Sequence, residues 1–381
     1  MCEKITVMKI QMVDVRTQYE KIKKEVNLQI DAILSSGAFI NGPAVKSFEQ
    51  HLVNYLGASK VIPCGNGTDA LQIALMAIDA KPGDEIIVPA FTYVATAEVI
   101  GLLGLTPVMV DVDEDTFNTT AELIETHITK RTKAIVPVHL FGQSCQMDSI
   151  MDLANKYNLF VIEDNAQSLG CTYHSSSGSN IKTGTIGHIG CTSFYPSKNL
   201  GAYGDGGAIT TMDEELGANI KMIANHGQSK RYYHDRIGVN SRLDSIQAAI
   251  LDIKLKHLDE YNAARRAVAD QYDQYLADIP QIQCPKRSPN SDHVFHQYTL
   301  KVPSADRNTL KSFLADKGIP SMIYYPLPLY DQKAFKSIIN KDIQHLSNAS
   351  KLCDQVLSLP IHTEMPAEQV EFITEHIRSF F

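Results

Sequence analysis

The chain of 381 residues has no tryptophan, no C-x-x-C pair and no apolar run approaching the width of a bilayer. Its longest apolar stretches are about eight to ten residues, against the ~18–20 that a membrane-spanning helix requires, and the N-terminus lacks the apolar core of a signal peptide. A cytoplasmic protein with no membrane partner is therefore expected. The seven cysteines, at positions 2, 64, 145, 171, 191, 284 and 353, are scattered and odd in number. That argues against a disulfide framework and offers no zinc spacing, so reduced and mostly buried thiols are expected. Thirteen histidines form no H-E-x-x-H, and no metal is expected. Positive charge is also in short supply. With 35 Lys+Arg against 43 Asp+Glu, the net charge of -8 argues against a nucleic-acid partner, whose phosphates need clustered cations. A small anionic ligand stays open. There is neither a G-x-G-x-x-G of a dinucleotide fold nor the Gly-Lys-Ser/Thr of a nucleotide-hydrolysing loop.

What is present is the balance of a globular protein, 44% hydrophobic and 20% charged, at a length that suggests two domains. Between Asn66 and Thr211, short β-branched runs alternate with helical patterns. The runs are Glu85–Pro89, Pro107–Asp111, Ala134–Val138, Leu159–Asp164, Cys191–Phe194 and Ala208–Thr211. This rhythm predicts an α/β fold, a large mostly parallel sheet covered by helices, with crossover helices at Asp69–Ile78 and Met147–Tyr157. After Leu243 the texture predicts one long polar helix to about Leu276, then a surface excursion over Cys284–Asp292. Beyond it come a strand at Val294–Val302 and helices at Asn308–Lys317 and Ala349–Leu357, which make a smaller α+β C-terminal domain. Residues 1–250 are assigned to the large domain and 251–381 to the small one. A further helix near Tyr19–Leu34 can pack on either.

Three segments carry chemistry. Cys64-Gly-Asn-Gly-Thr-Asp-Ala70 runs from a glycine-rich turn straight into an amphipathic helix, and amides at a helix start form a phosphate cradle; alone it also reads as a capped turn. Asp164, at the carboxyl end of an apolar run, stands where open α/β sheets place ligands and needs a cationic partner if buried. A protonated pyridine nitrogen is one such partner, and helix capping is the plain alternative. Lys198 lies between an apolar run and the glycine-rich Gly204-Asp-Gly-Gly207, where a desolvated amine becomes a nucleophile toward carbonyls. Ser193, five residues earlier, can bond a phosphate. Together, in this chain order, the three specify a pyridoxal-phosphate site better than any one does.

The segments NGTDAL (66–71), TYVATAE (92–98), EDNAQS (163–168), SFYPSKNLGAYGDGGA (193–208) and HGQSKRYYHDRIGVNSRLDSIQAAIL (226–251) resemble those of the DegT-type nucleotide-sugar aminotransferases. These are pyridoxal-phosphate enzymes of the aspartate-aminotransferase fold, and the likeness runs over essentially the whole chain. The wording of NGTDALQIAL and RYYH-x-R-x-GVNSRLD is similar to the UDP-2-acetamido-2-deoxy-3-oxo-glucuronate aminotransferases, which aminate C3 of a UDP-linked keto sugar for surface polysaccharides. The resemblance implies that Lys198 bonds pyridoxal phosphate and later moves protons, and that Asp164 pairs with the ring nitrogen. It implies that Gly67, Thr68 and Ser193 hold the phosphate, that Gln167 reaches the phenolic oxygen, and that Tyr93 and Ala166 lie on the two ring faces. Asn240 would complete the phosphate site of a second subunit in a homodimer, with Arg242 beside it at the substrate. Tyr324 and Tyr325 would line the sugar.

The amino donor implied is glutamate, with pyridoxamine phosphate as the cofactor's other state. Two residues depart from the pattern: Asn165 stands where alanine is expected, and Tyr324 where that group has histidine. The second leaves room for a dTDP- or UDP-linked 3- or 4-keto-6-deoxyhexose. A sugar dehydratase of the same fold would carry histidine in place of Lys198. A non-catalytic regulator on this scaffold and a nicotinamide-dependent oxidoreductase are the remaining alternatives.

Overall fold

The computed structural model describes residues 9–339 and 346–381. Helices α1 (Val15–Ser36) and α2 (Pro43–Leu56) come first, the second started by a proline whose missing N–H is unneeded in a first turn. Then follow β1 (Lys60–Cys64), α3 (Gly67–Ala77), β2 (Glu85–Pro89), α4 (Ala95–Leu102), β3 (Thr106–Val110), α5 (Ala121–Glu125), β4 (Thr132–Ile135), α6 (Met147–Tyr157) and β5 (Phe160–Asp164). A hairpin of β6 (Thr172–His174) and β7 (Asn180–Lys182) leads to β8 (Ile189–Ser193), β9 (Gly207–Thr211) and α7 (Glu214–Ala224). The seven-stranded sheet has the order β1-β9-β8-β5-β4-β2-β3. Only β9 runs against the others. Every residue of β2 and β9 is buried, because helices cover both faces, and this is why the runs read as continuously apolar.

A short hairpin of β10 (Gln228–Lys230) and β11 (Tyr233–His234) precedes α8 (Ser245–Leu255) and α9 (Leu258–Leu276). The long polar helix expected over 243–276 is thus two helices, broken at Lys256 and His257. Its first half is not polar in use, since most of α8 is buried between α1 and the sheet. Helix α1 packs Ile22 and Val26 on Ile250 and Ile253 of α8, which settles its place beside the large sheet. Each such side chain contributes about 1.5–3 kcal/mol by leaving water.

The C-terminal part pairs β12 (Tyr298–Lys301) with β13 (Val356–Leu359) and adds α10 (Ser304–Asp316), α11 (Ser347–Gln355) and α12 (Ala367–Phe380). The strand is shorter than expected, Val294–Gln297 being irregular, and the helix assigned to 349–357 ends at Gln355, where the chain turns extended. The core of this part joins Leu300, Leu357 and Leu359 to Val268 and Tyr272 of α9 and Val370 and Ile373 of α12. The segment 284–292 is not a free surface excursion. Ser288 donates its amide to Gln143 Oε1 at 2.7 Å, and Ser291 Oγ accepts from the Ser144 amide at 2.9 Å, so it is stitched to the large sheet's loops. Among the described cysteines only Cys284 is not buried, while Cys2 lies outside the described residues. No described helix is long and apolar enough to cross a membrane.

Candidate active site

Strand β1 ends at Cys64, and after Gly65 and Asn66 helix α3 begins at Gly67. Asn66 caps the helix by accepting the Asp69 amide at 2.8 Å, and the first helical bond runs from the Ala70 amide to the Asn66 carbonyl at 3.1 Å. The Gly67 and Thr68 amides are left pointing out of the helix start, where the dipole favours an anion. Ser193, at the end of β8, lies against them. A Cβ on Gly67 would come within 2.7 Å of the Ser193 Cβ, so only glycine allows the amide and the hydroxyl to converge. The Ser193 oxygen accepts the Tyr195 amide at 3.3 Å, which leaves its proton to donate outward. The turn is fixed from behind by Ser241, whose Oγ accepts the Gly65 amide at 2.9 Å and donates to Asp69 Oδ2 at 2.6 Å.

Asp164 ends β5 and is buried. The Thr96 hydroxyl donates to its Oδ2 at 2.7 Å and the Ala166 amide to its Oδ1 at 3.1 Å. Burial pushes its carboxyl up from the ordinary range, while the bonds from Thr96 and Ala166 and the charge of Lys198 pull it back. The neighbouring Glu163 points the opposite way, as alternation along a strand demands. It accepts three amides, those of Gly184, Ile186 and Gly187 at 2.8, 2.7 and 2.6 Å, and a fourth bond from His139 Nε2 at 2.8 Å. His139 Nδ1 accepts the Cys145 amide at 3.1 Å, which places the ring proton on Nε2. Asp164 therefore stands on a rigid, fully bonded base.

Lys198 follows β8 in a folded-back loop. Its amide donates to the Tyr195 carbonyl at 2.8 Å, and Asn199 Nδ2 reaches Asn262 Oδ1 at 2.6 Å and the Val294 carbonyl at 2.9 Å. The side chain is half-buried, and this takes its ammonium down to about 8 against the opposing pull of Asp164. Amine and carboxylate thus lie near enough for each charge to act on the other, and Ser193 of the anion cradle stands five residues before the amine.

The wall is aromatic and amide. Gln167 Oε1 accepts the Phe141 amide at 2.8 Å, and its Nε2 donates to the Tyr325 hydroxyl at 3.2 Å. Tyr325 lies 6.0 Å from Phe91, 6.3 Å from Tyr93 and 5.9 Å from Tyr324, ring centre to ring centre. Tyr93 is 55% exposed, so it is a rim residue and not core. Asn165 turns away: its Nδ2 donates to the Thr183 carbonyl at 3.1 Å and to Thr192 Oγ1 at 3.3 Å, and its Oδ1 takes the Ser168 hydroxyl.

The structure brings together Gly67, Thr68, Tyr93, Asp164, Ala166, Gln167, Ser193, Lys198, Tyr324 and Tyr325. It does not bring in Asn240 and Arg242. Asn240 is exposed, and Arg242, half-buried with no ion pair among the described residues, lines a separate cleft of about 580 Å³ with Lys46, Lys221 and Ser229. Sequence reasoning missed Thr96 and His139. The first lies inside the quoted TYVATAE segment, and the second directly follows an apolar run, the position that had flagged Asp164.

A cofactor with a phosphate at one end, a protonatable ring nitrogen in its middle and an aldehyde within reach of an amine would answer each of these groups at once. Pyridoxal phosphate is that cofactor, and the fold is that of the large α/β transferases built around it. The chain belongs to the DegT/DnrJ/EryC1/StrS aminotransferase family, whose model matches residues 20–378. It is 43% identical over 376 residues, 98% of this chain and 99% of the relative, to a pleiotropic regulatory protein of Geobacillus stearothermophilus. It is 44% identical over 364 residues, 96% and 98% of the two chains, to the UDP-2-acetamido-2-deoxy-3-oxo-D-glucuronate aminotransferase of Pseudomonas aeruginosa. Among solved structures it resembles the S. venezuelae DesV crystallised with a ketimine intermediate, with a TM-score of 0.93, 36% identity and 98% of each chain covered. The protein is an aminotransferase that uses pyridoxal phosphate.

Proposed function

We propose that the protein moves an amino group from glutamate to a nucleotide-linked keto sugar, UDP-2-acetamido-2-deoxy-3-oxo-glucuronate foremost, in a homodimer with shared sites. The observation that carries the chemistry is the half-buried Lys198 amine facing the buried Asp164 carboxylate beside the start of α3. Gly67, Thr68 and Ser193 would hold the phosphate, Asp164 the ring nitrogen, Gln167 the phenolic oxygen and Lys198 the aldehyde carbon. When bound, the cofactor supplies a sink for the electrons left on the amino-bearing carbon. Asp164 keeps a cation paired at the end of β5. Lys198, with an amine brought toward neutrality, would take a proton from that carbon and give it back at the cofactor's aldehyde carbon. Tyr325 and Gln167 brace each other on the wall, so the amide can turn its second proton to the site.

The uronate reading is supported by Arg242, whose guanidinium is unpaired among the described residues, and by the likeness to the Pseudomonas enzyme. A hydrogen bond to a charged group contributes ~1.5–3 kcal/mol, so Arg242→Lys is expected to lower kcat/KM for the uronate by ~10- to 100-fold and to leave a neutral 3-keto-6-deoxyhexose nearly unchanged. Equal losses for both sugars would mean that Arg242 contacts the shared nucleotide. The second reading, a neutral 3-keto-6-deoxyhexose, is favoured by Tyr324, an uncharged phenol on the site wall. Offering a panel of UDP- and dTDP-keto sugars with glutamate, and identifying the products by mass and NMR, decides between the two.

Shared sites are supported by the separation of Asn240 and Arg242 from Lys198 within one chain. Mixing inactive Lys198→Ala protein with inactive Asn240→Ala/Arg242→Ala protein is then expected to restore about a quarter of wild-type activity, since half of randomly formed dimers are hybrids with one intact site of two. No recovery in verified hybrids would contradict sharing.

A further inference from the structure

Helix α8 carries a second buried amine. Lys254 is only 1% exposed, and its Nζ donates to the Gly201 carbonyl at 2.5 Å. The ring of Tyr203 lies 5.2 Å from the same Nζ. No carboxylate pairs with it among the described residues, and the nearby charge of Arg265 has the same sign. Burial, reinforced by Arg265, brings its ammonium down to about 7. A lysine held this way works against the fold: a methionine would fill similar volume without a buried, unpaired charge. What the lysine provides that methionine lacks is a donor for one carbonyl.

That carbonyl belongs to the loop bearing Lys198. Gly201 closes on Pro196 so tightly that a Cβ would strike the Pro196 carbonyl, and the Ala202 amide returns to the Phe194 carbonyl at 2.8 Å. The loop is thus a small folded-back unit with its amine at the apex. From outside it is held at three points. Lys254 takes Gly201, Gln247 Oε1 accepts the Tyr203 amide at 2.8 Å, and Asn262 Oδ1 accepts Asn199 Nδ2 at 2.6 Å. Two of these points are on α8 and the third is on α9. We propose that Lys254 is a positioning residue for Lys198: its bond to the Gly201 carbonyl fixes the loop in the register that aims the Lys198 amine at Asp164. The proposal rests on the reading of Lys198 as the residue that bonds the cofactor.

The test compares full-length wild type with Lys254→Met and Lys254→Arg, with and without pyridoxal phosphate. Without cofactor, Lys254→Met is expected to melt at or above the wild-type temperature at pH 7, because a buried charge has gone. Its amides at Lys198 and Ala202 should nevertheless exchange at least ~10-fold faster, while those of the β2–β5 core keep their protection. With cofactor, the pH midpoint of its absorbance should move by about half a unit or more, and kcat should fall ~10- to 100-fold with KM for glutamate changed less than about threefold. Lys254→Arg, which keeps a donor, should lie between the two. Wild-type exchange at Lys198 and Ala202 together with a wild-type absorbance profile in Lys254→Met would overturn the proposal. So would a loss of melting temperature and exchange protection spread over the whole chain. Failure of the underlying reading shows separately, as a borohydride label on a lysine other than Lys198 in the wild type, and overturns the proposal with it.

Discussion

Lys198→Ala is expected to reduce turnover by at least ~10⁴-fold, because one side chain supplies both the nucleophile and the proton carrier, and proton transfer alone contributes ~10²–10⁴-fold. The fold should be untouched. The loop keeps its bonds through main-chain groups and Asn199, so the melting temperature without cofactor is expected to stay at the wild-type value. The pH dependence follows from the amine's lowered value. A lysine brought down to about 8 is mostly ammonium below that pH and mostly free base above it. The rate at which the unloaded wild type captures pyridoxal phosphate should therefore rise with pH and level off above about 8. Stopped-flow absorbance on the unloaded protein measures this, and a flat rate from pH 6 to 10 would contradict the assignment of the amine.

Asp164→Asn comes next, with an expected loss of ~10²–10³-fold in kcat, the size found when one preorganised electrostatic contact is removed from a site. The substitution keeps shape and most bonds. Asparagine can still accept from Thr96 or from the Ala166 amide, so packing at the end of β5 changes little. What disappears is the negative charge that a ring-nitrogen cation needs in a buried place. Stability without cofactor should hold or rise, since burial already raises the Asp164 carboxyl and a neutral amide avoids that desolvation. Single-turnover rates for both half-reactions, with melting curves of the unloaded protein, separate this from a folding defect. A variant that loses stability while keeping kcat within about twofold would show Asp164 to be structural.

The parallel sheet was legible because strands covered on both faces must be apolar throughout, and β2 and β9 are buried at every position. Strand β1 escaped because Pro63 interrupts its pattern. A proline argues against a central strand, yet β1 is the sheet's edge, where it is tolerated. The break between α8 and α9 escaped for the opposite reason: Lys256 and His257 are neither glycine nor proline, and only packing ends the first helix there. The switch from α11 into β13 at Val356 is likewise unpunctuated, and is set by the ladder from Tyr298↔Leu359 to Lys301↔Val356.

In the candidate site, Gly67 was legible as a glycine-rich turn opening a helix, and Asp164, Ser193 and Lys198 because they lie at or just past the ends of apolar runs. Thr96 and His139 were not, because their partners are 68 and 24 residues away and no local pattern announces them. Lys254 was hidden more thoroughly. In a stretch that reads as a polar helix a lysine looks solvated, and only the packing of α8 under α1 shows that it is enclosed.

The most direct test of the account is to load the wild-type protein with pyridoxal phosphate, reduce it with borohydride and map the modified peptide. The account predicts a single pyridoxyl group on Lys198, within the peptide that contains Ser193 and Gly201, and none on Lys254. A label placed reproducibly on another lysine, or no label at saturating cofactor, would contradict it.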